Sequence, residues 1–320
     1  MKHLLSKAVS SFCMLFIVAI STSCGDDINS NDKYNTLHSN DAIELQDAIT
    51  NADISNTSPL YEGSREDNFD PNLDGTDRLD SEPNSHLTHG SGGREGSFEA
   101  RFTSSGSYIA TSYYKMRVPE GIHTKEPHGL LVYLHGDGGN DYTNDWIFAP
   151  IAKLAHAHNL IAMSVLSPNN GTAWYQGPQT NAYFLHKLLE DKVFHDYNID
   201  TTRIYFTGSS GGSQFLTGIF VPKYATNYGG GAFPSCGGAD IYNFIDYQIS
   251  DYMKEHFKIY YYTQTGDFLY PQVVKSKERY TSLGMKVGGE FPRTCRSSRC
   301  HCEFNLSEVM VKALDFFDHN

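Results

Sequence analysis

Ser210 stands between Gly208 and Gly212 in the order G-x-S-x-G, directly after an apolar run at 204–207. A serine hydroxyl is a weak nucleophile unless a base takes its proton as it attacks. Two residues further along could supply that help. His301 is a candidate base, and Asp267, in Thr265-Gly266-Asp267, is a candidate for holding the imidazole in the productive tautomer. Upstream lies His135-Gly136-Asp137-Gly138-Gly139-Asn140, whose glycines let backbone amides turn toward one point. The amide of Asp137 or Gly138, with that of Gly211 as partner, could hold the oxyanion of a tetrahedral intermediate. Together these residues describe acyl transfer through a covalent serine intermediate.

Each assignment has a plainer competitor. Glycine–serine turns are common, so the flanking strand and helix must confirm Ser210. The glycine-rich loop could be a phosphate loop, but the Gly-Lys-Ser/Thr ending that a Walker loop requires is absent. Asp240, Asp246 and Asp251 compete with Asp267. His256 precedes its strand and His319 lies in the tail, so both fit less well than His301.

The elements that would position these groups alternate. Phe98 with 101–103, and then 108–118, read as two strands around the Ser104-Ser105-Gly106 turn. Apolar strands follow at 130–134, 161–165, 204–207, 232–236 and 258–262, with a last one at 285–287. Between them, helical spacing links Trp146, Ile147, Ile151 and Leu154, then Ala182, Leu185, Leu189 and Val193. A helix at 213–221 is expected to stop at Pro222, and another at 273–283 to end on Gly284. The last opens with Asn305 and Glu308 in capping-box spacing and buries Leu306, Val309, Met310, Ala313, Leu314 and Phe317. Such alternation implies an α/β fold with a mostly parallel sheet and helices on both faces. Chemistry then collects at the carboxyl ends of the strands, where Ser210, Asp267 and His301 all fall.

The N-terminus has a different character. Lys2 and Lys7 precede an apolar run at 12–20 too short to span a bilayer, followed by Ser21-Thr22-Ser23 and Cys24. Residues 1–23 read as a signal peptide, implying export to the cell envelope or medium. Cleavage before Cys24 with lipid on its sulfur would anchor the chain to a membrane, although Ser21 and Ser23 also suit an ordinary signal peptidase. Residues 25–95 carry 16 Asp/Glu against 4 Lys/Arg, which accounts for the whole net charge of −12. Few apolar residues interrupt them, so residues 24–95 are expected to be an acidic disordered tether, with the catalytic domain beginning at 96. Asp70, Asn72, Asp74 and Gly75 open like a calcium loop, but Ser81 stands where the bidentate acid belongs, so an acidic turn is the simpler reading. The near-neutral remainder has no basic patch to suggest nucleic acid.

After signal cleavage, Cys24, Cys236, Cys295, Cys300 and Cys302 remain. In an exported chain disulfides are the default, with zinc as the rival. Cys300 and Cys302 are too close to each other to bridge, so each is expected to pair with Cys295 or Cys236. That would pin the histidine loop to the strand ending at Cys236.

The motifs HGDGG, GSSGG, TGDFLY and RCHCEF together resemble the α/β-hydrolase superfamily across 97–320. The stretch IDTTRIYFTGSSGGSQF is similar to secreted polyhydroxybutyrate depolymerases and the related feruloyl and acetylxylan esterases. The resemblance implies an α/β-hydrolase three-layer sandwich and a cofactor-free serine esterase. Ser210 would be its nucleophile, His301 its base and then acid, and Asp267 the residue that orients the imidazole. Gly211 departs from the family, where a larger residue often follows the serine. The substrate is expected to be an ester, such as one carried on a polymer, with Trp174, Tyr175, Phe268 and Tyr270 as aromatic contacts. A serine peptidase on the same scaffold and an inactive surface-binding protein are the alternatives.

Overall fold

The computed structural model describes residues 86–122, 126–168, 171–240, 249–293 and 300–319. The signal segment, Cys24, the candidate calcium loop at Asp70, Asn72 and Asp74, Asp246 and Cys295 lie outside them.

One eight-stranded sheet organises the described chain in the order β1-β2-β4-β3-β5-β6-β7-β8. The strands are β1 (Gly96–Thr103), β2 (Thr111–Val118), β3 (His128–Leu134), β4 (Leu160–Val165), β5 (Ile199–Ser209), β6 (Gly230–Ser235), β7 (Phe257–Tyr262) and β8 (Lys286–Glu290). β1 and β2 are antiparallel, β2 is antiparallel to β4, and every other pairing is parallel. The helices used below are α1 (Asp145–Ala157), α2 (Pro178–Leu188), α3 (Gly211–Phe215), α4 (Asp251–His256), α5 (Tyr270–Ser282) and α6 (Leu306–His319).

Central strands must be apolar on both faces because helices cover both, and alternate residues then serve opposite cores. Leu130, Val132 and Leu134 of β3 join Ile161, Met163 and Val165 of β4 in one cluster with Phe184 and Leu185 of α2, Phe215 of α3 and Val273 of α5. Leu131 and Tyr133 enter the other cluster with Phe148 and Ile151 of α1 and Met310, Leu314 and Phe317 of α6. Helices α1 and α6 therefore pack on one face, and α2, α3 and α5 on the other. This is the three-layer arrangement expected from the alternation.

Three expectations need correction. Trp146 is 73% exposed, while α1 buries Phe148, Ile151, Ala152 and Ala155. Five residues at ~100° each place Trp146 well around the helix from Ile151, so it misses the buried stripe. Pro222 does not end the helix after Ser210. α3 passes through a π-turn, Leu216–Phe220, into a further helical segment, Val221–Tyr224. Pro222 lies just after that π-turn, inside a helical run that continues through it. The third concerns the domain boundary. Residues 86–95 pack on the domain although they read as tether. Thr201 N–H donates to the His86 carbonyl (2.8 Å), Thr88 N–H to the Ile199 carbonyl (3.0 Å), and the Tyr197 hydroxyl to the Arg94 carbonyl (2.7 Å). A Cβ at Gly90 would sit 2.6 Å from the Tyr197 carbonyl oxygen, so the close approach requires glycine. Backbone hydrogen bonds hold the segment in place of the apolar burial that composition would reveal.

Candidate active site

β5 delivers Ser210 to the rim of the sheet through an abrupt reversal into α3. Its φ of 48° and ψ of −115° are a conformation that a non-glycine residue adopts only under constraint. Space at the turn is scarce. A Cβ at Gly208 would lie 2.7 Å from the Gly212 carbonyl carbon, and one at Gly212 would lie 2.5 Å from the His135 carbonyl oxygen. Two hydroxyls that the motif does not mention hold the turn. Ser213 Oγ donates to the Gly208 carbonyl (2.6 Å) and accepts the Ser235 N–H (2.9 Å), while Ser235 Oγ also donates to the Gly208 carbonyl (2.7 Å). The Ser210 N–H donates to the Ser235 carbonyl at 3.1 Å.

The structure brings Ser210, His301 and Asp267 together. His301 Nε2 lies 2.9 Å from Ser210 Oγ, and His301 Nδ1 lies 3.0 Å from both Asp267 carboxylate oxygens. Asp267 is buried in the loop after β7, and its Oδ1 also accepts the Leu269 N–H (2.9 Å). His301 sits between β8 and α6, with the Phe268 ring centroid 4.5 Å from its own. A carboxylate at Nδ1 leaves Nε2 as the acceptor facing the serine hydroxyl. This arrangement can withdraw the serine proton as the oxygen attacks and stabilise the imidazolium that results. The competing acids stand elsewhere: Asp240 is near Lys275 (3.4 Å), and Asp251 pairs with Lys254 (2.9 Å).

The histidine loop is covalently fixed. Cys302 is disulfide-bonded to Cys236, with Cα atoms 5.1 Å apart, as one of the expected pairings. Cys300 is also in a disulfide. Cys236, Cys300 and Cys302 all have positive φ (43°, 48° and 55°), a backbone region that residues with a Cβ rarely adopt. Among the described residues, no group of three or more His, Cys, Asp or Glu is placed to hold a metal.

The glycine-rich loop after β3 reaches the serine, and one of its expected roles changes. The Gly138 N–H donates to the Thr172 carbonyl at 2.6 Å, so this amide is already engaged. The Asp137 and Gly211 amides are the candidate oxyanion pair. Gly211 opens α3, where first-turn N–H groups have no partner within the helix. The loop's anchor is Asp141, which sequence reading did not single out. Its Oδ2 accepts the Gly136 N–H (2.9 Å) and the Tyr133 hydroxyl (3.0 Å). Burial, with the Asp141 charge adding to it, pushes the Tyr133 phenol well above its ordinary value and keeps it a donor. His135 is wholly buried, with Nδ1 2.6 Å from the Gly136 carbonyl and Nε2 accepting the Ser167 N–H at 3.0 Å. Burial lowers its pKa, and these partners suit the neutral ring. Trp174, expected as a substrate contact, is fully buried and stacks on Phe215, so it belongs to the core.

No family model and no curated protein matches the chain. Solved structures do. A thermostable esterase aligns with a TM-score of 0.50 at 17% identity, over 68% of this chain and 60% of that one. The chain thus spans about three-fifths of that relative's length. The fluorophosphonate-binding serine hydrolase F of Staphylococcus aureus aligns at 0.49 and 14% identity, over 70% and 100% of the two chains. A ferulic acid esterase aligns at 0.48 and 10% identity, over 70% and 98%. The chain has the α/β-hydrolase fold.

Proposed function

We propose that this protein is an exported serine hydrolase that cleaves carboxylic esters. The observation that carries the reading is the Ser210–His301–Asp267 contact chain, at 2.9 and 3.0 Å, on a strained serine at the rim of the sheet. Ser210 attacks the ester carbonyl while His301 takes its proton, and the Asp137 and Gly211 amides receive the oxyanion. His301 then protonates the leaving alcohol, and water, deprotonated by the same ring, releases the acyl group from Ser210. Asp267 holds the imidazole throughout. The sequence of residues 1–24 supports export, with Cys24 as the proposed lipid anchor. A polymer-linked acyl or feruloyl group, or a polyester, is the proposed substrate, supported by the half-exposed Phe268 beside His301.

The test is turnover of p-nitrophenyl esters, methyl ferulate and a peptide panel by the full chain made in an oxidising compartment, beside Ser210→Ala. Ester cleavage that vanishes in Ser210→Ala is the expected result. Equal activity in both proteins refutes Ser210, and peptide cleavage without ester cleavage makes the protein a peptidase.

A further inference from the structure

The residue after the nucleophile has no side chain here, and the space it leaves is filled from another element. A Cβ built on Gly211 would collide with Oδ1 of Asp137 and lie 2.8 Å from its carboxylate carbon. The Tyr175 hydroxyl donates to the other oxygen, Oδ2, at 2.9 Å. The carboxylate is thus oriented, with Oδ1 toward Gly211, whose amide is one of the two candidate oxyanion donors. Asp137 and Gly211 therefore form a matched pair: the acid in the first loop fits because the second carries glycine.

This placement works against the chemistry unless it serves recognition. Negative charge develops on the carbonyl oxygen during acyl transfer, and like charges nearby raise that barrier. The backbone amide of residue 137 would be supplied equally well by an uncharged side chain. A carboxylate there is useful when the substrate brings a positive or hydrogen-bond-donating group against it, and it repels a substrate bringing another carboxylate.

Resting on the ester-hydrolase reading above, we infer that Asp137, seated in the side-chain space of residue 211 and oriented by Tyr175, is a specificity residue. It favours esters that carry a hydroxyl or ammonium donor near the scissile carbonyl and disfavours acyl groups that carry a carboxylate.

The experiment compares four phenyl esters, each corrected for its hydrolysis without enzyme: butyrate, 3-hydroxybutyrate, glycinate and the monoester of succinate. The full-length wild type, Asp137→Asn and Gly211→Ala are assayed, and each kcat/KM is divided by that protein's own value for butyrate. In the wild type the succinate ratio is expected to fall at least tenfold below the hydroxybutyrate ratio. Asp137→Asn removes the charge at nearly constant shape and raises the succinate ratio about tenfold. Gly211→Ala displaces the carboxylate and moves the ratio the same way. A rise for glycinate alone in the wild type identifies an ammonium as the favoured donor, and a rise for both donor esters identifies a hydroxyl as sufficient. Butyrate turnover with a succinate ratio unchanged in Asp137→Asn overturns this inference and leaves the esterase reading standing. No turnover of any of the four esters by the wild type overturns both.

Discussion

Cys236 and Cys302 join two segments 66 residues apart, and each abuts the candidate triad. Cys302 follows His301 directly, and Cys236 follows Ser235, whose carbonyl accepts the Ser210 amide. The bond therefore ties His301 to the strand that braces Ser210. Replacing both cysteines by alanine frees a closed loop of that size in the unfolded chain, which removes ~4 kcal/mol of stability. Urea unfolding measures that loss. With the histidine loop untethered, kcat should fall at least tenfold while KM changes little, and equal kcat in both proteins would sink the positioning role.

Asp267→Asn tests the tautomer. The amide oxygen of the replacement can still accept the Leu269 N–H now held by Asp267 Oδ1 (2.9 Å), so the loop should keep its shape. The new NH₂ group would donate to His301 Nδ1 and turn Nε2 into a donor facing Ser210. We expect kcat to drop by roughly 10³- to 10⁴-fold with unchanged circular dichroism. A drop of less than tenfold would show that another acid serves His301.

Asp141→Ala strands the Gly136 N–H and leaves the buried Tyr133 hydroxyl only Ser209 Oγ, 3.1 Å away, as a partner. Each unsatisfied buried donor costs about 1–3 kcal/mol, so the variant should unfold at clearly lower urea. Its kcat should also fall, because Gly136 precedes the Asp137 amide. Full activity in a destabilised Asp141→Ala would separate the anchor from the oxyanion loop.

His135 and His128 predict how stability responds to acid. Burial lowers both folded values below the ordinary 6.5. Below that pH the unfolded chain takes up protons that the folded chain refuses, so this contribution is complete above ~6.5 and declines as the pH falls toward the folded values. Urea midpoints at pH 7.5 and 5.5 should show lower stability in acid. His135→Asn should shrink the difference, and a midpoint independent of pH in the wild type would contradict the argument.

The sheet and the candidate triad are legible because they rest on signals that crowding and burial write into local sequence. The both-face apolar runs of β3, β4 and β5 and the glycines around Ser210 are of this kind. Chain order and strand-end position then pick out Asp267 and His301. What escapes are contacts made by ordinary polar residues. Ser213 and Ser235 carry no local pattern because they bond to each other between separate elements, and Asp141 is one loop acid among many until the loop folds it onto Gly136 and Tyr133. Gly211 is visible only as a departure, and its reason lies in Asp137, on a different strand end. Residues 86–95 read as tether because backbone hydrogen bonds leave no trace in hydrophobicity.

Those residues also set a polarity. His86 and Thr88 bond to Thr201 and Ile199, at the entry of β5, whereas Ser210 leaves from the far end of the same strand. The segment at 86–88 therefore joins the sheet at the opposite end of β5 from Ser210.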